Sequence, residues 1–151
     1  TRVVRYHNVY GPLGTYGGGR EKAPAASCRK IISAKINQDK SIDVWGDGEQ
    51  TRDFVYVTDV VEAVLLAMES KEPITANIGS GVALSVNDLF ALMSTYTDYG
   101  KRPRFQGVRL GDVKHIVLDN KFSKKSLGWQ TTTSIENGLK QTLEWLQWSL
   151  R

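Results

Sequence analysis

The sequence predicts an α/β fold in which short strands and amphipathic helices are mixed within one unit. Its 151 residues suffice for one domain at roughly 150 residues per domain and leave no room for two full α/β domains. Its apolar fraction of 40%, with 9% aromatic and 24% charged residues, is that of a folded globular chain and excludes the disordered and collagen-like classes. Finally, β-branched segments that stop at Gly or Pro alternate with segments whose apolar residues recur at helical spacing, and no internal repeat or low-complexity tract interrupts them.

Residues 2–10 are β-branched and aromatic and end at Gly11-Pro12, which predicts a strand running into a glycine-rich loop over residues 11–22. Residues 23–37 have helix-forming composition, with Pro24 in the first turn, where its missing N–H has no helical partner to lose. Residues 42–45 read as a short strand, 46–48 as a turn and 54–57 as a second strand. Asp59 offers a capping carboxylate, followed by Glu62, to a helix in which Val60, Val61, Val64, Leu65 and Met68 recur at helical spacing. A strand over 74–78 ends at Gly79-Ser80-Gly81, and Ser85 and Asp88 open a second amphipathic helix through Leu89, Leu92 and Met93. Residues 104–108 read as a strand after Pro103. Thr133 and Glu136 form a capping box for a terminal helix striped by Ile135, Leu139, Leu143 and Leu146.

Several function classes are expected to be excluded. The longest apolar run, 63–68, falls far short of the ~18 residues of a membrane span, and no charged-then-apolar leader opens the chain, so neither a membrane partner nor export is expected. The single Cys28 cannot close an intrachain disulfide, and no Cys/His group has ligand spacing, which fits the cytoplasm and argues against a structural zinc. Cys28 itself reads as a buried helix residue without chemistry. The net charge of +4 permits a polyanion, but the basic residues are scattered, so no nucleic-acid partner is expected. Only Lys121, Lys124 and Lys125 approach a cluster, and they read as a solvated helix face.

Gly11, Gly14 and Gly17 have the spacing of a dinucleotide fingerprint, yet Pro12 removes a backbone donor, the glycines continue through Gly18 and Gly19, and no acidic residue ends a second strand about 20 residues on. A flexible or substrate-covering loop fits better. None of the tyrosines has a lysine four residues later, so the dyad in which lysine lowers a tyrosine pKa for redox work is missing. The chain does carry groups suited to a diphosphate: Lys22, Lys30, Arg52 and Arg109, with Asp112 nearby in sequence. Guanidinium forks accept phosphate oxygens bidentately and a carboxylate can accept from ribose hydroxyls, although each residue alone also reads as an ordinary surface charge.

Arg5-Tyr6-His7-Asn8-Val9-Tyr10-Gly11-Pro12, then Glu21-Lys22-Ala23-Pro24, then Trp45-Gly46-Asp47-Gly48-Glu49-Gln50-Thr51-Arg52-Asp53-Phe54-Val55-Tyr56-Val57-Thr58-Asp59, then Asn77-Ile78-Gly79 resemble, in order, the C-terminal portion of extended short-chain dehydrogenase/reductase nucleotide-sugar epimerases and dehydratases. The wording of residues 11–30 is most similar to the GDP-mannose 3,5-epimerase branch, whereas Arg109-Leu110-Gly111-Asp112 resembles the Arg-x-Gly-Asp of the UDP-sugar enzymes. The resemblance implies the substrate-binding portion of such an enzyme, without the Rossmann domain that holds NAD, so that no cofactor is expected on this chain and no turnover by it alone. Asn8, Glu21, Lys22 and Ala23 would line the sugar site, and Lys30, Gln50, Thr51, Arg52 and Arg109 would hold nucleotide and diphosphate, with Asp112 at the ribose. Lys22 would be the lysine that, in partnership with a cysteine of the N-terminal portion, exchanges protons at the sugar carbons beside a transient ketone. Acting as a base requires desolvation to depress its pKa, and a phosphate-neutralising or exposed lysine is the alternative.

The expected partners are a nucleotide diphosphate-sugar and the N-terminal Rossmann domain, whose sheet residues 1–10 would complete. A homodimer through that strand is a further expectation, since exposed strand edges invite pairing. A free-standing nucleotide-sugar-binding or assembly module, and a nucleic-acid-binding domain with steep salt dependence, are the rival classes.

Overall fold

Side chains alternate across a strand, and here one strand of three residues parts the hydrophobic interior in two. In the computed structural model, which describes residues 1–16, 23–108 and 111–149, strands β1 (Arg2–Tyr6) and β2 (Asn8–Tyr10) open the chain. Helix α1 (Ala23–Asn37) leads to strands β3 (Asp43–Trp45), β4 (Thr51–Arg52) and β5 (Phe54–Tyr56). Helix α2 (Val57–Glu69), strand β6 (Ile74–Ile78), strand β7 (Leu84–Ser85) and helix α3 (Val86–Thr97) follow, and then strand β8 (Arg104–Gln106) and helices α4 (Lys121–Leu127) and α5 (Ile135–Ser149).

The strands join in pairs: β1 with β6, β2 with β5 and β3 with β8 in parallel, and β4 with β7 antiparallel. The first predicted strand is therefore two. Residues 2–6 run beside 74–78, which ends at Ile78, and residues 8–10 run beside 54–56, so the ladder breaks at His7 where the chain changes neighbours.

Across the β2–β5 pair, Tyr10, Phe54 and Tyr56 face a core built with Cys28, Ile31, Leu89, Met93, Leu139 and Leu143 of α1, α3 and α5. Val9 and Val55 face the other way, into a core of Val60, Ala63, Ile74, Ala76, Ile78 and Trp129 between α2 and the β1–β6 pair. Cys28 is fully buried beside Met93 Sδ (3.8 Å), and burial pushes its thiol pKa up to about 12, as a small apolar residue without nucleophilic character requires.

The helix starts follow local hydrogen bonding, with two displacements. Ser85 caps α3 as expected, accepting from the Asp88 amide (3.0 Å) while donating to the Asp88 carboxylate (2.6 Å). Helix α2 starts at Val57, two residues before Asp59, because Asp59 is buried and turned to a different task described below. At α5 the cap is Ser134, whose Oγ accepts from the Asn137 amide (3.2 Å), since Thr133 is committed to Asp59. The strand expected over 54–57 ends at Tyr56, and that over 104–108 at Gln106. The lysines of α4 lie on an exposed surface around buried Ser123, as a solvated helix face should.

Candidate functional site

The segment 50–53 reaches three places at once. Gln50 and Trp45 flank the turn over 46–49, which closes through Gln50 Nε2 donating to the Trp45 carbonyl (2.8 Å). Positive φ at Gly46 (+73°) and Gly48 (+79°) makes that turn possible, and at Gly48 a β-carbon would overlap the Asn87 side chain, whose Nδ2 bonds the Asp47 carbonyl and the Glu49 carboxylate. Between this turn and the first turns of α1 lies a cleft of about 120 Å³ lined by Ala23, Ala26, Lys30, Trp45, Gln50 and Val86, among others. Three of the sequence-predicted residues, Ala23, Lys30 and Gln50, therefore meet in one place. Lys30 Nζ donates to the Asp43 carbonyl (2.7 Å), which fixes its stem along the cleft wall. Asp43 in turn pairs with Arg104 (2.7 Å); that hydrogen bond, with a further one from Gln106, holds its carboxyl below the usual range.

Thr51 lies in β4, its backbone bridging to residues 114–116 and its Oγ1 within 3.0 Å of His115 Nδ1. Arg52 beside it is largely enclosed. Its Nη1 donates to the Thr51 and Lys114 carbonyls (2.8 and 3.4 Å), and its Nη2 to Asp112 Oδ1 (2.5 Å). Arg52 and Asp112, predicted to contact different parts of one ligand, thus bind each other.

Asn8 sits on β2 with its Nδ2 near His7 Nδ1 (2.8 Å) and the Asp53 carbonyl (3.4 Å). It is tied to the same 50–53 segment, from the opposite end to Gln50. Glu21, Lys22 and Arg109 lie outside the described residues.

Two carboxylates hold these pieces in place: sequence reasoning passed over Asp53 and gave Asp59 the role of a helix cap, which it does not fill. Asp53 is fully buried, and its side chain accepts from Ser80 N (2.8 Å), Ser80 Oγ (2.6 Å), Gly81 N (3.0 Å) and Leu118 N (3.1 Å). It clamps the loop after β6 and the segment carrying Asp112 to the strand carrying Arg52. Gly79 admits this approach: a β-carbon there would stand 2.6 Å from Asp53 Oδ2. Asp59 likewise accepts from the backbone and hydroxyl groups of Thr132 and Thr133, while its carbonyl takes the Trp129 indole N–H (2.8 Å). The available signal was that each directly precedes an apolar run, Phe54-Val55-Tyr56-Val57 after Asp53 and Val60-Val61 after Asp59, where a carboxylate drawn into the interior must find donors.

Two larger hollows adjoin Tyr10 and Tyr56. One of about 580 Å³ is walled by the 9–16 segment, Ala25 and the start of α2. The other, of about 170 Å³, lies among Tyr10, Phe54, Tyr56, Val82, Thr133 and Ile135, with a mostly apolar lining. Neither collects charged side chains. Among the described residues no group of His, Cys, Asp and Glu is arranged to hold a metal ion, and no helix is long and apolar enough to cross a membrane.

A profile of the NAD dependent epimerase/dehydratase family matches residues 1–79. GDP-mannose 3,5-epimerase 1 of Oryza sativa subsp. indica is 40% identical over 152 residues, covering 97% of this chain and 37% of that protein. Among solved structures, the UDP-glucose 4-epimerase of Thermotoga maritima with UDP-glucose superposes with a TM-score of 0.88 at 40% identity, over 99% of this chain and 46% of that one. MoeE5 in complex with UDP-glucose and NAD superposes with a TM-score of 0.81 at 29% identity, over 98% of this chain and 47% of the other. The chain thus spans less than half the length of each of these proteins.

Proposed function

The chain belongs to the NAD dependent epimerase/dehydratase family, and from that premise we propose that it is the nucleotide-sugar-binding, C-terminal portion of an NAD-dependent nucleotide-sugar epimerase. The observation that carries this reading is the convergence on residues 50–53: Gln50 at the cleft with Ala23 and Lys30, Arg52 at Asp112, and the Asp53 carbonyl beside Asn8. In the proposal the half-exposed Trp45 ring and the α1 alanines take the base in the cleft. Arg52 and Arg109 take the diphosphate through their planar forks, with Thr51 beside them and Asp112 at the ribose. Asn8, Glu21, Lys22 and Ala23 then line the sugar, and Lys22 holds or returns a proton at a sugar carbon in the complete enzyme.

The described residues do not themselves fit NAD. Gly11 leads into no helix, and the space at its α-carbon is filled by Val57, since a β-carbon there would stand 2.6 Å from the Val57 Cγ1 atom. Without a helix N-terminus directly behind it, this glycine does not build a dinucleotide cradle. We assign NAD and the redox dyad to a Rossmann portion outside this chain, with residues 1–151 acting as the nucleotide-sugar domain and residues 1–10 adding a strand to that portion's sheet. This chain alone is then inactive and does not bind NAD. Support comes from β1, which among the described residues pairs with β6 on one edge only. A homodimer through that free edge is the alternative use of the same surface. Cys28, buried and without a disulfide, fits a cytoplasmic protein.

GDP-mannose 3,5-epimerase chemistry is the first reading of the substrate. A UDP-sugar epimerase or dehydratase is the second, favoured by the equal 40% identity to the Thermotoga maritima enzyme. Calorimetric titration with GDP, UDP, GDP-mannose and UDP-glucose separates them. The expected result is saturable binding of one nucleotide series, weakened by about 1.5–3 kcal/mol in Arg52→Lys and in Arg109→Lys, because the charge is kept and the fork is lost. Lysine variants that bind as well as the parent would sink the diphosphate assignment. Binding undiminished by Lys22→Ala, with no activity on adding a Rossmann partner, would favour a free-standing binding module.

A further inference from the structure

The partners of Arg52 differ in how firmly they are held. The Thr51 and Lys114 carbonyls belong to paired backbone: Thr51 N donates to Lys114 O (2.8 Å), and Ile116 N donates to Thr51 O (3.2 Å). These acceptors are held in place by the backbone, so Nη1 of Arg52 is anchored on atoms that do not move. Asp112 is different. It follows Gly111, which has φ +83° and open space where a β-carbon would stand, and its side chain is 37% exposed against 15% for Arg52. The guanidinium is therefore the fixed member of the ion pair and the carboxylate the replaceable one.

A carboxylate and a phosphoryl group offer a guanidinium the same two-oxygen face, so they compete for it. We propose that Asp112 is an internal competitor for the anion site: it occupies the Nη2 edge of Arg52 until a ligand phosphate displaces it. This rests on the reading that Arg52 holds the diphosphate. The consequence is selectivity by charge. Exchanging a carboxylate for a singly charged anion leaves the interaction at Arg52 nearly unchanged, whereas a multiply charged pyrophosphate gains from the exchange. Asp112 thus acts as a specificity-determining residue before any ligand has reached the cleft, at the cost of some affinity for every anion.

The test titrates inorganic pyrophosphate and, separately, acetate into the whole chain and into Asp112→Asn, Asp112→Ala and Arg52→Ala. With the competing carboxylate removed, both Asp112 variants should bind pyrophosphate about five-fold more tightly, the scale of one partly exposed ion pair. They should also bind acetate, for which the parent shows the weaker affinity, and Arg52→Ala should lose pyrophosphate. The gain should shrink as salt screens the pair. If Arg52→Ala weakens pyrophosphate while both Asp112 variants bind it no better than the parent, the competition is overturned and the diphosphate assignment stands. If Arg52→Ala binds like the parent, or no form binds, both are overturned.

Discussion

The two cores on either side of the β2–β5 pair differ in how they are closed. The core between α1, α3 and α5 is enclosed between those helices and the β2–β5 pair and contains Ile31, Leu89 and Leu139 at no measurable exposure. The core between α2 and the β1–β6 pair is covered from within only. Val60, Ala63 and Ala67 of α2 face inward, while Val61, Leu65 and Met68 on the same helix stand 53–66% exposed at spacings of four and three residues. Val3 and Tyr6 of β1 are exposed too. A sequence can thus carry a helix with apolar residues on two faces when only one has a partner within the chain, and the second face describes what the helix is built to meet.

The largest expected effect breaks the closed core. Leu89→Ala should cost about 2–5 kcal/mol in urea unfolding, because the surrounding helices cannot collapse into the space left. Leu65→Ala, the same truncation on α2, should change stability by no more than about 0.5 kcal/mol. Equal losses at the two positions would show that α2 is as enclosed as α3.

The next effect concerns the joint between the cores. Asp59 belongs to α2, and its carboxylate holds Thr132 and Thr133 at the entrance to α5. Asp59→Asn turns one acceptor into a donor facing donors, and should destabilise the chain by about 1.5–3 kcal/mol. It should also separate the unfolding transitions seen by far-UV circular dichroism and by Trp129 fluorescence in a background with Trp45, Trp145 and Trp148 replaced by Phe, since Trp129 lies in the open core and bonds the Asp59 carbonyl. Transitions that remain coincident would mean that the β2–β5 wall couples the cores without Asp59.

These features were unevenly legible in the sequence. The helix over 23–37 could be read to its exact bounds, because helix-forming composition and Pro24 acted in the same direction. The Ser85 cap was legible because its bonds are local. The break at His7 was not, since it depends on which strand lies alongside, a long-range matter. The displaced start at Val57 and the cap at Ser134 share one cause, the bond between Asp59 and residues 132–133, which no local pattern reveals. The candidate site follows the same division. Ala23, Lys30 and Gln50 were identified by resemblance and share a cleft, whereas the pairing of Arg52 with Asp112 across 60 residues needed the fold.

A smaller effect distinguishes the cores by pH. Tyr10, Tyr16, Tyr56 and Tyr99 all belong to or pack on the helical core, and burial raises the pKa of each above the ordinary phenol value of 10.0. A raised folded pKa leaves stability intact below the unfolded value and erodes it as pH climbs past about 10, where the unfolded chain releases protons that the folded chain retains. Thermal melting between pH 8 and pH 11 should therefore fall at the alkaline end, and Tyr10→Phe should flatten that fall. An unchanged slope in the variant would place the alkaline loss at groups other than Tyr10.

The smallest effect on stability carries the most information about the open face. Val61→Ser with Leu65→Ser should leave the unfolding midpoint of this chain nearly unmoved, because both side chains already meet water in the folded state. Each, about half exposed, nevertheless forgoes about half of the ~1.5–3 kcal/mol of full burial, which a covering surface would restore. Beside them, β1 has no strand along its second edge among the described residues, and antiparallel pairing with β1 of a second copy would satisfy the backbone groups there with two-fold symmetry. Arg2 is drawn away from that edge by bonds to the Ser70 carbonyl, which leaves Arg5 as the main repulsive charge between copies. Self-association should accordingly strengthen as salt screens Arg5, opposite to the salt response of an ion-paired interface. Sedimentation equilibrium of the parent, of Val3→Lys and of the double serine variant reads this out. A dimer weakened by Val3→Lys places the contact at the strand edge, and one weakened only by the serine variant places it on α2. A parent that stays monomeric at high micromolar concentration in high salt rules out self-pairing and leaves the face to a partner of another sequence.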